Sequence, residues 1–295
     1  MQTHTLESTH WRVEVDPANG MGWLRGKAFH SEQWLDLLPD CTEASAKLTQ
    51  CNFLLLPYSN RIRDGKFEFE GSSYQLDNAA RHAIHGVVRK LPWTVMDKDA
   101  QHISATLDTR DHDKVNWPWP FIAKTELRVR ENQLISTLQI QNLGDSNMPA
   151  GGGWHPYFVR HLKQSDPLLT IPVTGFYPDT NGDCLPTGGP EPLPEELSFL
   201  DKTTLPEHQR IDHCFAGLRG SMHITWPDVN LTLTLSYSDQ MTHAILYNPP
   251  ETFFALEPVS HANDAVNLAS RGIDAGIQTL APGKSWEETL VMELT

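Results

Sequence analysis

The chain has 295 residues and a formal net charge of −14, from 37 acidic against 23 basic side chains. That balance excludes nucleic acid as the main partner, because phosphate binding needs a basic surface, and it argues against docking on an anionic membrane. With 39% hydrophobic and 20% charged residues, the composition is that of a soluble globular protein with ample length for a buried core.

The N-terminus, MQTHTLESTHWRVEVD, lacks a basic segment followed by an apolar one, so it does not read as a secretory signal. No stretch approaches the roughly 18–20 consecutive apolar residues of a membrane helix. Trp11, Val13 and Val15 alternate with Arg12 and Glu14, which predicts a strand with one apolar face. Ser31 to Leu38 is expected to form a short helix with Ser31 as its N-cap. The alternation returns at Phe67 and Phe69, at Leu134, Ser136, Leu138 and Ile140, and at Leu231, Leu233, Leu235 and Tyr237. It returns last at Trp286, Glu288, Leu290, Met292 and Leu294. A second short helix is expected over Ala262 to Leu268, but 21 prolines and 19 glycines punctuate the chain too often for long ones. Many short strands with frequent turns predict an all-β sandwich or barrel. The Pro-rich stretch from Pro186 to Pro206 reads as a long surface loop, and residues 1–295 as one domain.

Cys41, Cys51, Cys184 and Cys214 form no CxxC pair and match no zinc spacing. Four scattered cysteines in a chain this long suit a reducing cytoplasm, although Cys41 and Cys51 could pair under oxidising conditions. The chain carries no HExxH, EF-hand loop, Walker loop, GxGxxG before a helix, or GxSxG. The expectation is therefore chemistry without metal or nucleotide.

Five patches look unlike routine strand or turn sequence. NRIRDGKFEFEG begins at Asn60 and Arg61, at the end of the apolar run Phe53 to Leu56, and contains the turn dipeptide Asp64-Gly65. Arg61 offers a rigid fork of donors for vicinal hydroxyls, or simply an ion pair at a sheet rim. In AIHG, Gly86 lets the backbone approach closely beside His85, though a lone His is more often structural. In GGGWHPYF, Pro156 restrains His155 towards an extended backbone, while Trp154, Tyr157 and Phe158 are flat faces for a sugar ring or for a core. In IDHCF, Asp212 lies between apolar residues and needs partners if buried, or else caps a turn. In FFALEPVSHANDAVN, Glu257 closes an apolar strand, a costly place for a carboxylate unless it faces a cavity or is hydrogen-bonded.

Taken in this order, together with Leu280, Pro282 and Gly283 near the C-terminus, the patches resemble the aldose 1-epimerase (galactose mutarotase-like) family from about residue 50 to the end. The resemblance implies a large antiparallel β-sandwich, often called a supersandwich, with a few short helices and no metal or organic cofactor. It implies interconversion of the α and β anomers of a free aldose, with Glu257 as general base and His155 as general acid. Arg61, His85 and Asp212 would bind sugar hydroxyls, with Asn60 and Tyr157 beside them. The partner implied is a small-molecule sugar, bound by a cytoplasmic monomer or homodimer.

The residue types suit that reaction. A carboxylate with a pKa near ~4.3 is ionised at neutral pH, and an imidazole near ~6.5 can be protonated with modest help. Other readings stay open. A hexose phosphate or sulfonated sugar would need extra cations, for which Arg63, Arg81 and Arg89 are candidates. A non-catalytic sugar-binding sandwich would have no need for both Glu257 and His155, and a glycosidase usually needs two carboxylates.

Overall fold

A computed structural model describes residues 3–295. Among the described residues the chain is mostly strand, with one α-helix, Ala265–Ser270, and short 3-10 turns. Two large antiparallel sheets dominate. The nine-stranded sheet runs from Thr203–Thr204 at one edge through Leu168–Thr170, Met222–Trp226 and Leu231–Tyr237 to Ser285–Leu294 at its centre. It continues through Gln133–Asn142, Phe121–Arg130 and His102–Asp108 to Thr94–Lys98. The eight-stranded sheet contains, in order, Glu191–Pro192, Gly175–Phe176, Ile211–Ala216, His243–Asn248, Phe253–Val259, Gly153–Trp154 and Leu54–Leu55, with Tyr157–Val159 also paired to Phe253–Val259. A four-stranded meander, His4–Glu7 to Gln33–Leu38, packs beside them.

The alternating segments are strands whose apolar positions face inward: Phe121–Arg130, Gln133–Asn142 and Ser285–Leu294 all alternate between buried and more exposed residues. Their inner face meets Trp154, Phe158, Phe215, Leu246, Phe254 and Leu256 of the eight-stranded sheet in one large core. Trp154 crosses between the sheets, its indole N–H donating to Ser136 Oγ at 3.0 Å. Phe253–Val259 does not alternate; it is buried throughout. Such a strand is covered on both faces, and its second face, with Ile245, Cys214 and Val259, packs in a smaller apolar cluster.

The register of the eight-stranded sheet decides what shares that second face. Directly opposed residues in antiparallel strands point the same way, and so do residues two apart. Asp212 opposes Tyr247, Tyr247 opposes Ala255, Ala255 opposes Tyr157, and Glu257 opposes Ile245. Asp212, Tyr247, Tyr157 and Glu257 therefore all project from one side of the sheet, away from the main core.

Two helix expectations are corrected. Ser31 to Leu38 is a turn and a strand: Ser31 and Glu32 both have positive φ, 47° and 63°, and reverse the chain between Gly22–His30 and Gln33–Leu38. The Phe29–Trp34 ring pair, at 5.4 Å, and the Arg12 guanidinium over Trp34 hold that hairpin against its helical spacing. The second helix spans Ala265–Ser270 instead of Ala262 to Leu268. Asp264 sits at φ 58° with its N–H donating to Arg61 O, so the helix starts only after it. The Pro-rich stretch is mostly loop, tacked to both large sheets by Glu191–Pro192 and Thr203–Thr204. All four cysteines are free, and no helix among the described residues is long and apolar enough to cross a membrane.

Candidate active site

Glu257 and His155 reach each other because two short segments flank the strand Phe253–Val259. The run Gly151 to Gly153 threads between that strand and Leu54–Leu55. A Cβ on Gly153 would lie 2.3 Å from Pro258 O, so glycine is needed there for close approach, not for adaptability. His155 then follows, with its backbone N–H donating to Phe53 O at 3.1 Å and its ring tilted against that of Phe53 at 4.4 Å. Its Nε2 lies 3.2 Å from Glu257 Oε1, and both side chains are almost fully buried. Neither His155 Nδ1 nor Glu257 Oε2 has a hydrogen-bond partner.

His85 comes from a loop pinned to the same strand edge. It and Gly86 both have positive φ, 69° and 63°, and a Cβ on Gly86 would lie 2.1 Å from Leu56 O. The ring of His85 meets that of His155 edge-on at 5.0 Å. Asn60 ends the buried run from Gln50, and its Oδ1 accepts from the Arg61 backbone N–H at 2.9 Å and from Arg61 Nη1 at 3.2 Å. Arg61 forms no ion pair among the described residues, which removes the sheet-rim alternative. Asp212 finds the partner its setting calls for: the Cys184 thiol donates to its Oδ2 at 3.0 Å.

Asn60, Arg61, His85, His155, Tyr157, Asp212 and Glu257 line one cavity of about 210 Å³, together with Ile84 and Tyr247. It is smaller than the roughly 300–1,000 Å³ of pockets for drug-sized ligands. Three larger depressions, of about 520, 530 and 300 Å³, lie beside the chain's C-terminus, on the face of the nine-stranded sheet and beside Arg63, Lys66 and Asn267. None brings a buried acid against a buried base. Among the described residues no cluster of three or more metal-ligating side chains exists.

Burial governs the protonation of the pair. It pushes Glu257 well above the ordinary carboxylate range, with Asp212 adding to the rise and Arg61 opposing it. Burial also pushes His155 down to about 3, with the Arg89 cation adding to the drop. His85 is pushed well below its ordinary value by burial, His155, Arg89 and Arg61. The sequence alone suggests an ionised Glu257 facing a protonated His155. Burial instead works against both charged forms, favouring a protonated Glu257 beside a neutral His155.

Two aromatic side chains do not serve the cavity. Trp154 and Phe158 are fully buried and belong to the core. Tyr247 and Cys184 carry no motif, and only strand register and loop closure bring them in. Arg63 is drawn away to Asp183 and Asp264, and Arg81 is exposed. Arg89 lies behind the wall, over the Phe53 ring at 4.7 Å.

A family model described as aldose 1-epimerase matches residues 24–293. The uncharacterised Escherichia coli K12 protein YphB is 26% identical over 299 aligned residues, which cover 97% of this chain and 96% of YphB. The solved structure of a galactose mutarotase-like protein from Clostridium acetobutylicum superposes with a TM-score of 0.85 at 18% identity, covering 99% of this chain and 94% of its own. One from Lactobacillus casei superposes with a TM-score of 0.81 at 16% identity over 100% of both chains. At such identities the solved structures speak for the fold, a galactose mutarotase-like sandwich, while the family model spans nearly the whole sequence. The chain belongs to the aldose 1-epimerase family.

Proposed function

We propose that the protein is a mutarotase acting on a free aldose, with Glu257 and His155 as its acid–base pair. The observation that carries the reading is the 3.2 Å approach of His155 Nε2 to Glu257 Oε1 in the wall of a cavity of about 210 Å³. Ring opening removes the proton from O1, makes C1=O, breaks C1–O5 and delivers a proton to O5. Glu257 takes the O1 proton as a carboxylate, and His155 gives one to O5 as an imidazolium. Rotation about C1–C2 then presents the other aldehyde face, and the same steps run backwards to close the ring.

This chemistry needs one proton on the pair, and burial favours placing it on Glu257. The proton must pass from Glu257 to His155 when substrate arrives. An anomeric hydroxyl donating to the unpartnered Glu257 Oε2 supplies a hydrogen bond that favours the ionised carboxylate. Acid–base work of this kind contributes about 10²–10⁴-fold. Arg61, Asn60, His85 and Asp212 hold the remaining hydroxyls while C1 turns, a positioning role, and Tyr157 offers its ring to the sugar. The cavity's single permanent cation, Arg61, favours a neutral sugar over a phosphorylated or sulfonated one.

Polarimetry of freshly dissolved α-D-glucose and α-D-galactose, with wild type and Glu257→Gln, tests the proposal. Acceleration by the wild type that the substitution abolishes is the expected result. No acceleration of either sugar, after subtraction of the spontaneous rate, refutes a free aldose of this kind as substrate. An undiminished Glu257→Gln enzyme refutes the assignment of the base.

A further inference from the structure

We infer that Arg89 is a positioning residue that locks His85 as its neutral Nε2–H tautomer, so that His85 meets the substrate only as a hydrogen-bond donor. Arg89 Nη1 lies 3.0 Å from His85 Nδ1. A guanidinium has donors and no acceptor and does not lose its proton in proteins, so Nδ1 must accept. An imidazole that accepts at Nδ1 is neutral and carries its hydrogen on Nε2. His85 lines the cavity and Arg89 does not, which leaves Nε2–H for a sugar oxygen.

Arg89 is itself well fixed. Its guanidinium lies over the Phe53 ring at 4.7 Å, and the other contacts of Phe53 include the rings of His85 and His155 at 5.3 and 4.4 Å. No acid lies within ion-pair distance of it among the described residues, so no carboxylate competes for the donor that faces His85.

The arrangement also settles which histidine takes part in proton transfer. The two rings are 5.0 Å apart, and two imidazolium ions that close would repel strongly. With Arg89 donating to its Nδ1 and the His155 ring against it, the neutral form of His85 is the one the site tolerates. That leaves His155 as the partner free to take the proton from Glu257. Arg89 thus serves substrate binding without touching the sugar.

The effect on substrate affinity rests on the mutarotase reading; the tautomer does not. Nitrogen-15 imidazole spectra of the intact protein, with the His85 signals assigned by their loss in His85→Gln, read the tautomer directly. The wild type should show a protonated Nε2 and an unprotonated Nδ1. Arg89→Met should give a tautomer mixture and raise KM about five- to tenfold with kcat within about twofold, the size expected for one misdirected hydrogen bond. Arg89→Lys, which keeps a cationic donor, should restore the tautomer. A wild-type His85 protonated at Nδ1 overturns the inference, even if Arg89→Met fails to fold. So does an Arg89→Met protein whose His85 tautomer is unchanged, or one that loses kcat at constant KM. If the protein mutarotates no sugar but His85 shows the Nε2–H form, the tautomer lock stands and the functional reading falls.

Discussion

Glu288 offers a test of the core that is independent of the active site. It points inward from Ser285–Leu294 in line with Trp286, Leu290 and Met292, and is 1% exposed. Burial pushes its carboxyl up to about 7, against an ordinary 4.5. The native chain therefore holds a proton that the unfolded chain releases earlier. The resulting stability is fully present below about pH 4.5, falls by about 1.4 kcal/mol per pH unit as pH rises, and is gone above about pH 7. Between pH 5 and pH 8 the loss comes to about 2.5 kcal/mol, a sizeable part of the roughly 5–15 kcal/mol that separates native from unfolded domains. Glu288→Gln keeps the shape and cannot ionise. Urea unfolding of both proteins at pH 5 and pH 8 should show the variant gaining about 2.5 kcal/mol relative to wild type across that interval. Buried His243 and His261, each pushed down to about 4, bend both stability curves the other way and cancel in the difference. Parallel curves would refute the assignment of a buried, proton-holding carboxyl.

Three further outcomes follow from the site and the core. With His155 at about 3 and Glu257 raised, kcat/KM corrected for spontaneous mutarotation should trace a broad bell belonging to the pair, with its acid limb near pH 3; a narrow optimum with an acid limb near 4.5 would mean that burial does not govern the pair. Trp154→Phe removes the indole N–H that reaches Ser136 and leaves a void between the sheets. It should cost about 1–3 kcal/mol in urea unfolding with KM within about twofold, and a large KM change at unchanged stability would put the indole in the binding site instead. Cys184→Ala strips Asp212 of its thiol donor and should raise KM several-fold in steady-state polarimetry, whereas Cys184→Ser keeps a donor and should stay near wild type. Equal effects of the two substitutions would show that the thiol merely fills space.

The strands were legible where one face meets the core and the other meets water. Leu231–Tyr237 and Ser285–Leu294 alternate for that reason, and even Glu288 fell on the inward set by its period. Legibility failed where tertiary contacts overrule local spacing. Trp34, Leu37 and Leu38 recur at a helical interval, yet a two-residue turn at Ser31 and Glu32 folds them into a hairpin, and neither residue type announces positive φ. Phe253–Val259 has no alternation to read because it is covered on both faces.

The candidate site was legible because the residues with costly side chains in apolar company are the ones that line the cavity. Glu257 after Phe253 to Leu256, His155 among aromatics and Asp212 within IDHCF each looked out of place locally, and the sheet register turns them to a common space. Arg89 escaped that logic as a positioning residue: in the sequence it is one more surface-like cation, and its partner His85 is four residues away across a loop whose path depends on positive φ at His85 and Gly86. Protonation escaped it too. Residue types suggest a ready ion pair, but burial works against both charged forms at once, lifting Glu257 and lowering His155. A buried acid and base in their uncharged forms cost less to desolvate than an ion pair. Under the proposed mechanism the pair would become an acid and a base only when a hydroxyl reaches Glu257, which would tie the onset of proton transfer to the presence of something to transfer it to.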